Sequence, residues 1–290
     1  MRTRSSGAPS APLHGKQKWS APLSARCPTA HRTDPPDGWH GVRIAAVRYV
    51  IAGGGAYGAH YVKKLLQAID SGSIELEEIV VVDRASTCQV AKLAGAQPAV
   101  RLEVSDWRRF AARVWADPDS WAEDIWIPAP IAPHILADWV IDRIEELTGL
   151  KVAVERAPIN LPDLPFSQQS PDGRILLSHA PGRCPLDCIE PATCAITKDT
   201  RWWEMRDTLT ELIAEDDLTL DLDRVAMFFC RHHCDPAQHD VGGIPFATIR
   251  AETDRVCRHA KEGADQIGVA TFSSCHGVLT RLTIKQLALQ

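Results

Sequence analysis

The sequence predicts an α/β protein: a doubly wound parallel sheet followed by a second α/β region with cysteine-bearing loops after its strands. Three observations carry that expectation. Short apolar runs alternate with amphipathic helical stretches from residue 49 to about 155, the pattern of a parallel sheet flanked by helices. A glycine-rich turn joins the first of those runs to the first helix. Three later strand-like runs each lead directly into a loop holding cysteine. The composition agrees, with 45% hydrophobic and 24% charged residues in 290. A chain of that length buries a sizeable core without disulfides or metal.

Charge divides the chain. Residues 1–46 hold seven Lys or Arg against Asp34 and Asp37, a net +5, so the remainder carries -10 to reach the formal -5. The basic stretch is rich in Pro and Ser and lacks an amphipathic period. It reads as a disordered tail or as upstream sequence from a misassigned start, ahead of a transit peptide. The next methionine is Met205, so a start near Val42 or Val47 would use a non-ATG codon. A body of -10 argues against sequence-independent nucleic-acid binding, which needs a positive surface. No apolar run approaches the ~18 residues of a membrane span, so no membrane insertion is expected. A cytoplasmic location is expected as well, with a small-molecule substrate or redox partner, and the pattern is compatible with a homo-oligomer. Three segments follow: a dinucleotide-binding domain over 47–157, a linker or crossing loop over 158–173, and a cysteine-rich α/β region over 174–290.

Tyr49-Val50-Ile51-Ala52 reads as a buried strand, and Gly53-Gly54-Gly55-Ala56-Tyr57-Gly58 follows at once. The stretch from Ala59 to Asp70 is then helical, with Tyr61, Val62, Leu65, Leu66 and Ile69 on one face. G-x-G-x-x-G between strand and helix is the dinucleotide-binding pattern. Gly53 allows the tight turn, Gly55 lets backbone approach a pyrophosphate, and Gly58 allows the helix to pack closely. N–H groups at the helix start face the phosphates. The second strand, Ile79 to Val82, ends in Asp83, an acid suited to a ribose 2′-hydroxyl. Arg84 beside it suits a 2′-phosphate, so NAD and NADP both stay open, and SAM is the other ligand this pattern serves. Thr87–Gly95 predicts a short helix, Ala99–Val104 a strand and Ser105–Trp115 a helix capped by Ser105 or Asp106. Asp124–Ile127, Ala132–Leu147 and Lys151–Glu155 continue as strand, helix and strand. Trp107, Trp115, Trp121, Trp126 and Trp139 follow the helix faces and read as packing residues.

From Tyr49 to about Val104 the chain resembles the Rossmann-type NAD-binding domains of potassium-uptake regulators and siroheme-pathway dehydrogenases. The matching pieces are the glycine loop, Val81-Val82-Asp83-Arg84, and Val104-Ser105-Asp106. The resemblance implies a nicotinamide dinucleotide rather than FAD, and implies no particular reaction.

In the second half, Arg174–Leu177 reads as a strand, followed by Cys184, Cys188 and Cys194. After a helix over Glu204–Glu215, the strand Val225–Phe229 leads into Cys230-Arg-His-His-Cys234. A helix over Ala247–Glu262 carries Cys257, which fits an inert buried thiol. The strand Ile267–Phe272 precedes Ser273-Ser274-Cys275-His276, and a last helix is expected over Val278–Leu289. If the three strands are parallel, their loops gather at one edge of one sheet. Disulfides are not expected without a secretory signal. Thiolates suit an iron–sulfur cluster or zinc. The set is Cys184, Cys188 and Cys194, with Cys230, Cys234 or Cys275 as the fourth ligand and His232, His233, His239 and His276 nearby. Cys188-x5-Cys194 with Cys230-x3-Cys234 has the spacing of iron–sulfur ligands in siroheme sulfite and nitrite reductases, a match of four residues only. Metal-free reactive or regulatory thiols and purely structural thiols are the other readings. Catalytic candidates are His134, Cys275 and His276, although His134 reads first as a partly exposed first-turn histidine. Glu190 reads first as a surface carboxylate, with a group that supports the ligands from behind or transfers a proton as the other readings. Arg201-Trp202-Trp203 reads as the start of a helix and its packing. The functional expectation is an NAD(P)-linked oxidoreductase with a cysteine-held centre; the alternatives are a nucleotide- and redox-sensing module without turnover, and a zinc-stabilised NAD-binding protein.

Overall fold

The structure, a computed structural model, describes residues 48–128, 134–215, 220–230 and 241–285. The basic tail, Cys27, His232, His233, Cys234 and His239 lie outside the described residues. In chain order the strands and helices are β1 (Arg48–Ala52), α1 (Ala56–Asp70), β2 (Glu78–Asp83), α2 (Ala91–Ala94), β3 (Val100–Val104), α3 (Trp107–Ala116), β4 (Ile125–Ile127), α4 (Ile135–Thr148) and β5 (Lys151–Val154). They continue with β6 (Phe166–Gln169), β7 (Ile175–Ser178), α5 (Met205–Glu215), β8 (Val225–Phe229), β9 (Ile244–Pro245), α6 (Phe246–Lys261), β10 (Gln266–Phe272) and β11 (His276–Lys285).

Two mixed sheets form. The first has the order β3-β2-β1-β4-β9, in which the first four strands are parallel and short β9 closes the edge antiparallel to β4. Period-2 geometry sends alternate side chains of β1 to opposite faces. Tyr49 and Ile51 pack with Val62 and Leu65 of α1. Val50 and Ala52 pack with Phe110 of α3 and with α4. Both faces are covered, which is why β1 and β2 read as unbroken apolar runs. The Asp106 carboxylate caps α3 by accepting from the Arg108 N–H at 2.9 Å.

The second sheet has the order β6-β7-β11-β10-β8, with β5 also pairing β11. Here the sequence expectation needs three corrections. The final helix expected over Val278–Leu289 is strand β11 as far as Lys285. Val278, Leu279 and Thr280 are all buried, and from there Leu282 and Ile284 alternate with less buried Arg281, Thr283 and Lys285, so a period-2 pattern with β-branched residues outweighs an apparent helical stripe. The linker over 158–173 contains β6. Strand β5, placed with the dinucleotide domain, pairs antiparallel with β11 in the second sheet.

One part of the expectation stands on the register. Strands β7 and β10 both pair antiparallel with β11, and β8 pairs parallel with β10. So β7, β8 and β10 run in one direction and their following loops leave from one edge. Helices α4 and α6 lie between the two sheets in a core that includes Val50, Trp126, Trp139, Phe228, Val256 and Leu282. The rings of Trp126 and Trp139 are 4.7 Å apart and both are buried, as packing residues should be. Helix α5 covers the other face of the second sheet through Met205, Leu209 and Leu212.

Candidate functional site

At the first sheet's edge, Gly53 adopts φ 92°, a conformation that side-chain-bearing residues rarely enter. A Cβ on Gly58 would lie 2.0 Å from the Gly53 carbonyl oxygen, so α1 seats directly on the turn. A Cβ on Gly55 would meet nothing within 4 Å. Gly55 is also the N-cap of α1, and no side chain caps that helix. Open space and uncapped N–H groups at a helix start favour an anion. Ala56 and Tyr57 form the first residues of α1. Asp83 ties this loop together: one carboxylate oxygen accepts from the Gly54 N–H and the other from the Ala85 N–H, each at 2.7 Å. Its neighbour Arg84 is exposed, with its guanidinium 5.8 Å from the Trp107 ring centroid.

At the common end of β7, β8 and β10, the structure brings together most of the expected thiols. Cys184 donates to the Cys188 sulfur, and that hydrogen bond pushes the Cys184 thiol up while drawing Cys188 down to about 6. The backbone N–H of Glu190 also favours the Cys188 thiolate. Cys184 Sγ lies 3.4 Å from His276 Nε2. Cys194 is held low by the backbone N–H groups of Thr197 and Ile196. Cys194 and Cys275 pack with Trp203 in a small buried cluster, and the Trp203 indole N–H donates to Cys275 Sγ at 3.3 Å. Burial pushes Cys275 up to about 12, with the Glu190 charge adding to it. Cys184 feels the charges of Cys188, Cys275 and Cys194. Cys230, raised by burial, belongs to the core between the sheets. Among the described residues no three His, Cys, Asp or Glu side chains already form a metal-holding group. The donors instead form two adjacent pairs.

Glu190 corrects the surface reading, because it is only 7% exposed. It has a positive φ of 54°, and its carboxylate accepts from Ser273 Oγ at 2.5 Å, the Ser274 N–H at 2.9 Å and the Cys275 N–H at 3.0 Å. Its position between two candidate ligands and before Pro191 was the one sequence signal available. Trp203, expected only to pack, also bonds a thiol; Trp202 is 77% exposed, and α5 begins at Met205. His134 sits at the start of α4, where burial lowers its pKa, away from the thiols. Cys257 is buried on α6 and pushed up to about 11 by that burial, as an inert thiol should be. Cys88, placed on a predicted helix, precedes α2 and packs beside Gly54.

A cavity of about 620 Å³ joins the two regions. Tyr57 and Tyr61 of α1 and Cys184, Cys188, Cys230 and His276 all line it. Arg183 also lines it, its guanidinium 5.8 Å from the Tyr57 ring centroid.

A family model named AF_1314_C, described as the C-terminal domain of an uncharacterized protein, matches residues 136–285, just over half of the chain. No curated protein and no solved structure matches it.

Proposed function

The chain belongs to the AF_1314_C family, and on that premise we propose that it is an NAD(P)-binding redox protein, an oxidoreductase with a thiol-held iron–sulfur or zinc centre. The observation that carries this reading is the cavity, which is lined both by Tyr57, the residue after Ala56 of the glycine loop, and by the thiols of Cys184, Cys188 and Cys230. The strand order β3-β2-β1-β4 supports a Rossmann-like half, in which ligands bind beyond the carboxyl ends of the strands. The loop residues Gly53–Gly58 would hold the pyrophosphate, and Asp83 keeps lone pairs for ribose hydroxyls.

The donor set suits a soft metal centre: four cysteines, two of them supported by backbone N–H groups that favour the thiolate. A single zinc needs four sulfurs about 2.3 Å from one ion. Two adjacent pairs without a common focus suit a multinuclear cluster better, because its thiolates bind different irons. When bound, the cluster would supply one-electron storage beside the nicotinamide. The chain's own residues then do the rest. Tyr57 and Tyr61 wall the cavity, His276 stands beside the Cys184 sulfur, and apolar side chains such as Phe272 and Val278 limit water.

A second reading follows from the Cys184–Cys188 contact: the pair acts as a metal-free dithiol that reports redox state. One preparation separates the two. Protein purified without oxygen should contain iron and sulfide and bind NADH or NADPH by calorimetry. Metal-free protein that binds nucleotide would favour the dithiol; protein that binds neither would remove both readings.

A further inference from the structure

Resting on the thiol-centre reading, we propose that Glu190 is the positioning residue that assembles a four-thiol metal site from Cys184, Cys188, Cys194 and Cys275, with Cys275 rather than Cys230 as the fourth ligand.

The argument begins with the loop that holds Cys275. Its backbone is anchored from several sides: the His179 N–H donates to the Cys275 carbonyl at 3.0 Å, and the Met205 N–H to the Ser274 carbonyl at 2.9 Å. The Ser273 N–H donates to the His276 carbonyl at 2.8 Å. Glu190 adds three more bonds, and it comes from a different loop, the one carrying Cys188 and Cys194. A buried carboxylate is costly unless its oxygens are satisfied. Here three donors on one short turn satisfy it, so the two thiol-bearing loops are locked together. The positive φ of Glu190 is a further local cost that this contact offsets.

That lock places Cys275 beside Cys194 in the cluster roofed by Trp203. The indole N–H on Cys275 Sγ is the kind of outer donor that orients and tunes a metal-bound sulfur. Cys230, also buried, packs among different neighbours. Its backbone N–H is tied to Phe272 O at 2.7 Å, and its residue packs in the main core with Phe228 and Trp126. It faces the cavity without joining the Cys194–Cys275 cluster.

The test compares the full chain with Cys275→Ser, Cys230→Ser, Glu190→Gln and Ser273→Ala, all purified without oxygen. Readouts are metal per chain, the absorption and EPR spectra, and the rate of metal loss to a chelator, with circular dichroism to confirm folding. Cys275→Ser should lose most of its metal, whereas Cys230→Ser should keep metal and spectrum. Glu190→Gln should shift the spectrum and weaken metal retention about 10–100-fold, the usual size for an outer-layer partner. Ser273→Ala removes one donor of the three and should fall between Glu190→Gln and wild type, which keeps the claim testable if Glu190→Gln misfolds. Metal retained by Cys275→Ser but lost by Cys230→Ser would overturn the ligand assignment. A wild-type spectrum and release rate in both Glu190→Gln and Ser273→Ala would overturn the positioning role. A wild-type chain without metal would instead defeat the underlying reading of a metal centre.

Discussion

Gly55→Ala and Gly58→Ala differ by three positions and should fail in opposite ways. At Gly58 the added Cβ lies 2.0 Å from the Gly53 carbonyl oxygen and 3.1 Å from its carbon. The obstacle is backbone, and the Gly53 N–H is fixed to Val82 O at 2.9 Å, so relief requires α1 to lift from the sheet. Overpacking of this kind costs about 1–3 kcal/mol, and a backbone clash belongs at the upper end. At Gly55 the Cβ meets nothing within 4 Å, and φ -75° with ψ -155° is open to alanine. The gain from a stiffer unfolded chain, about 0.4–1 kcal/mol, roughly offsets the poorer N-cap. Yet that Cβ occupies the space through which a pyrophosphate would approach the helix start. Urea melts and NADH calorimetry separate the two effects. Gly58→Ala should lose about 2–3 kcal/mol of stability, while Gly55→Ala should melt like wild type and lose NADH binding. Wild-type NADH affinity in a folded Gly55→Ala protein would refute the assignment of this loop to the nucleotide.

Other outcomes follow from burial and pairing. Burial first, and then His276, lowers His179 from 6.5 to about 4, so the native state favours the neutral ring. The unfolded chain therefore takes up the proton first; this stability is full above pH 6.5 and falls as pH drops toward 4. The loss between pH 7 and 5 should be about 2 kcal/mol, and His179→Gln should flatten that slope in urea titrations. Asp124 is buried and paired with Arg48 at 2.7 Å. Arg48→Met removes the guanidinium and leaves the carboxylate only the Arg48 backbone N–H at 2.9 Å, and should cost about 2–3 kcal/mol after allowance for the partly exposed arginine, read from the urea midpoint. Leu282 is 1% exposed on β11, so Leu282→Ala should cost about 2–5 kcal/mol. Amide exchange of Gly277–Thr283 should be among the slowest in the chain, because β11 has partners on both sides; fast exchange there would contradict its central place.

The glycine turn, its flanking strand and helix, and Asp83 were legible because local geometry dictates them: a tight turn and a close helix contact demand particular residues. The convergence of the thiol loops was legible from strand alternation alone, even though an antiparallel strand lies between β7 and β10. That strand was missed. Val278–Lys285 alternates as a strand, but its apolar residues also satisfy a helical stripe, and only pairing with β10, β7 and β5 decides between them. The burial of Glu190 was not legible for a different reason. Its donors lie more than eighty positions away at Ser273–Cys275, so nothing near it in sequence marks a buried carboxylate.

The central claim is that one cavity holds a nicotinamide dinucleotide beside a thiol-held centre. Its most direct measurement is an anaerobic titration of the full chain with NADH or NADPH, followed by absorbance around 400 nm, roughly where thiolate-ligated clusters absorb. A band that shifts in position or intensity as nucleotide is added, saturating with nucleotide binding, is the predicted result. A folded chain that binds the nucleotide, carries the band and shows no change would contradict it.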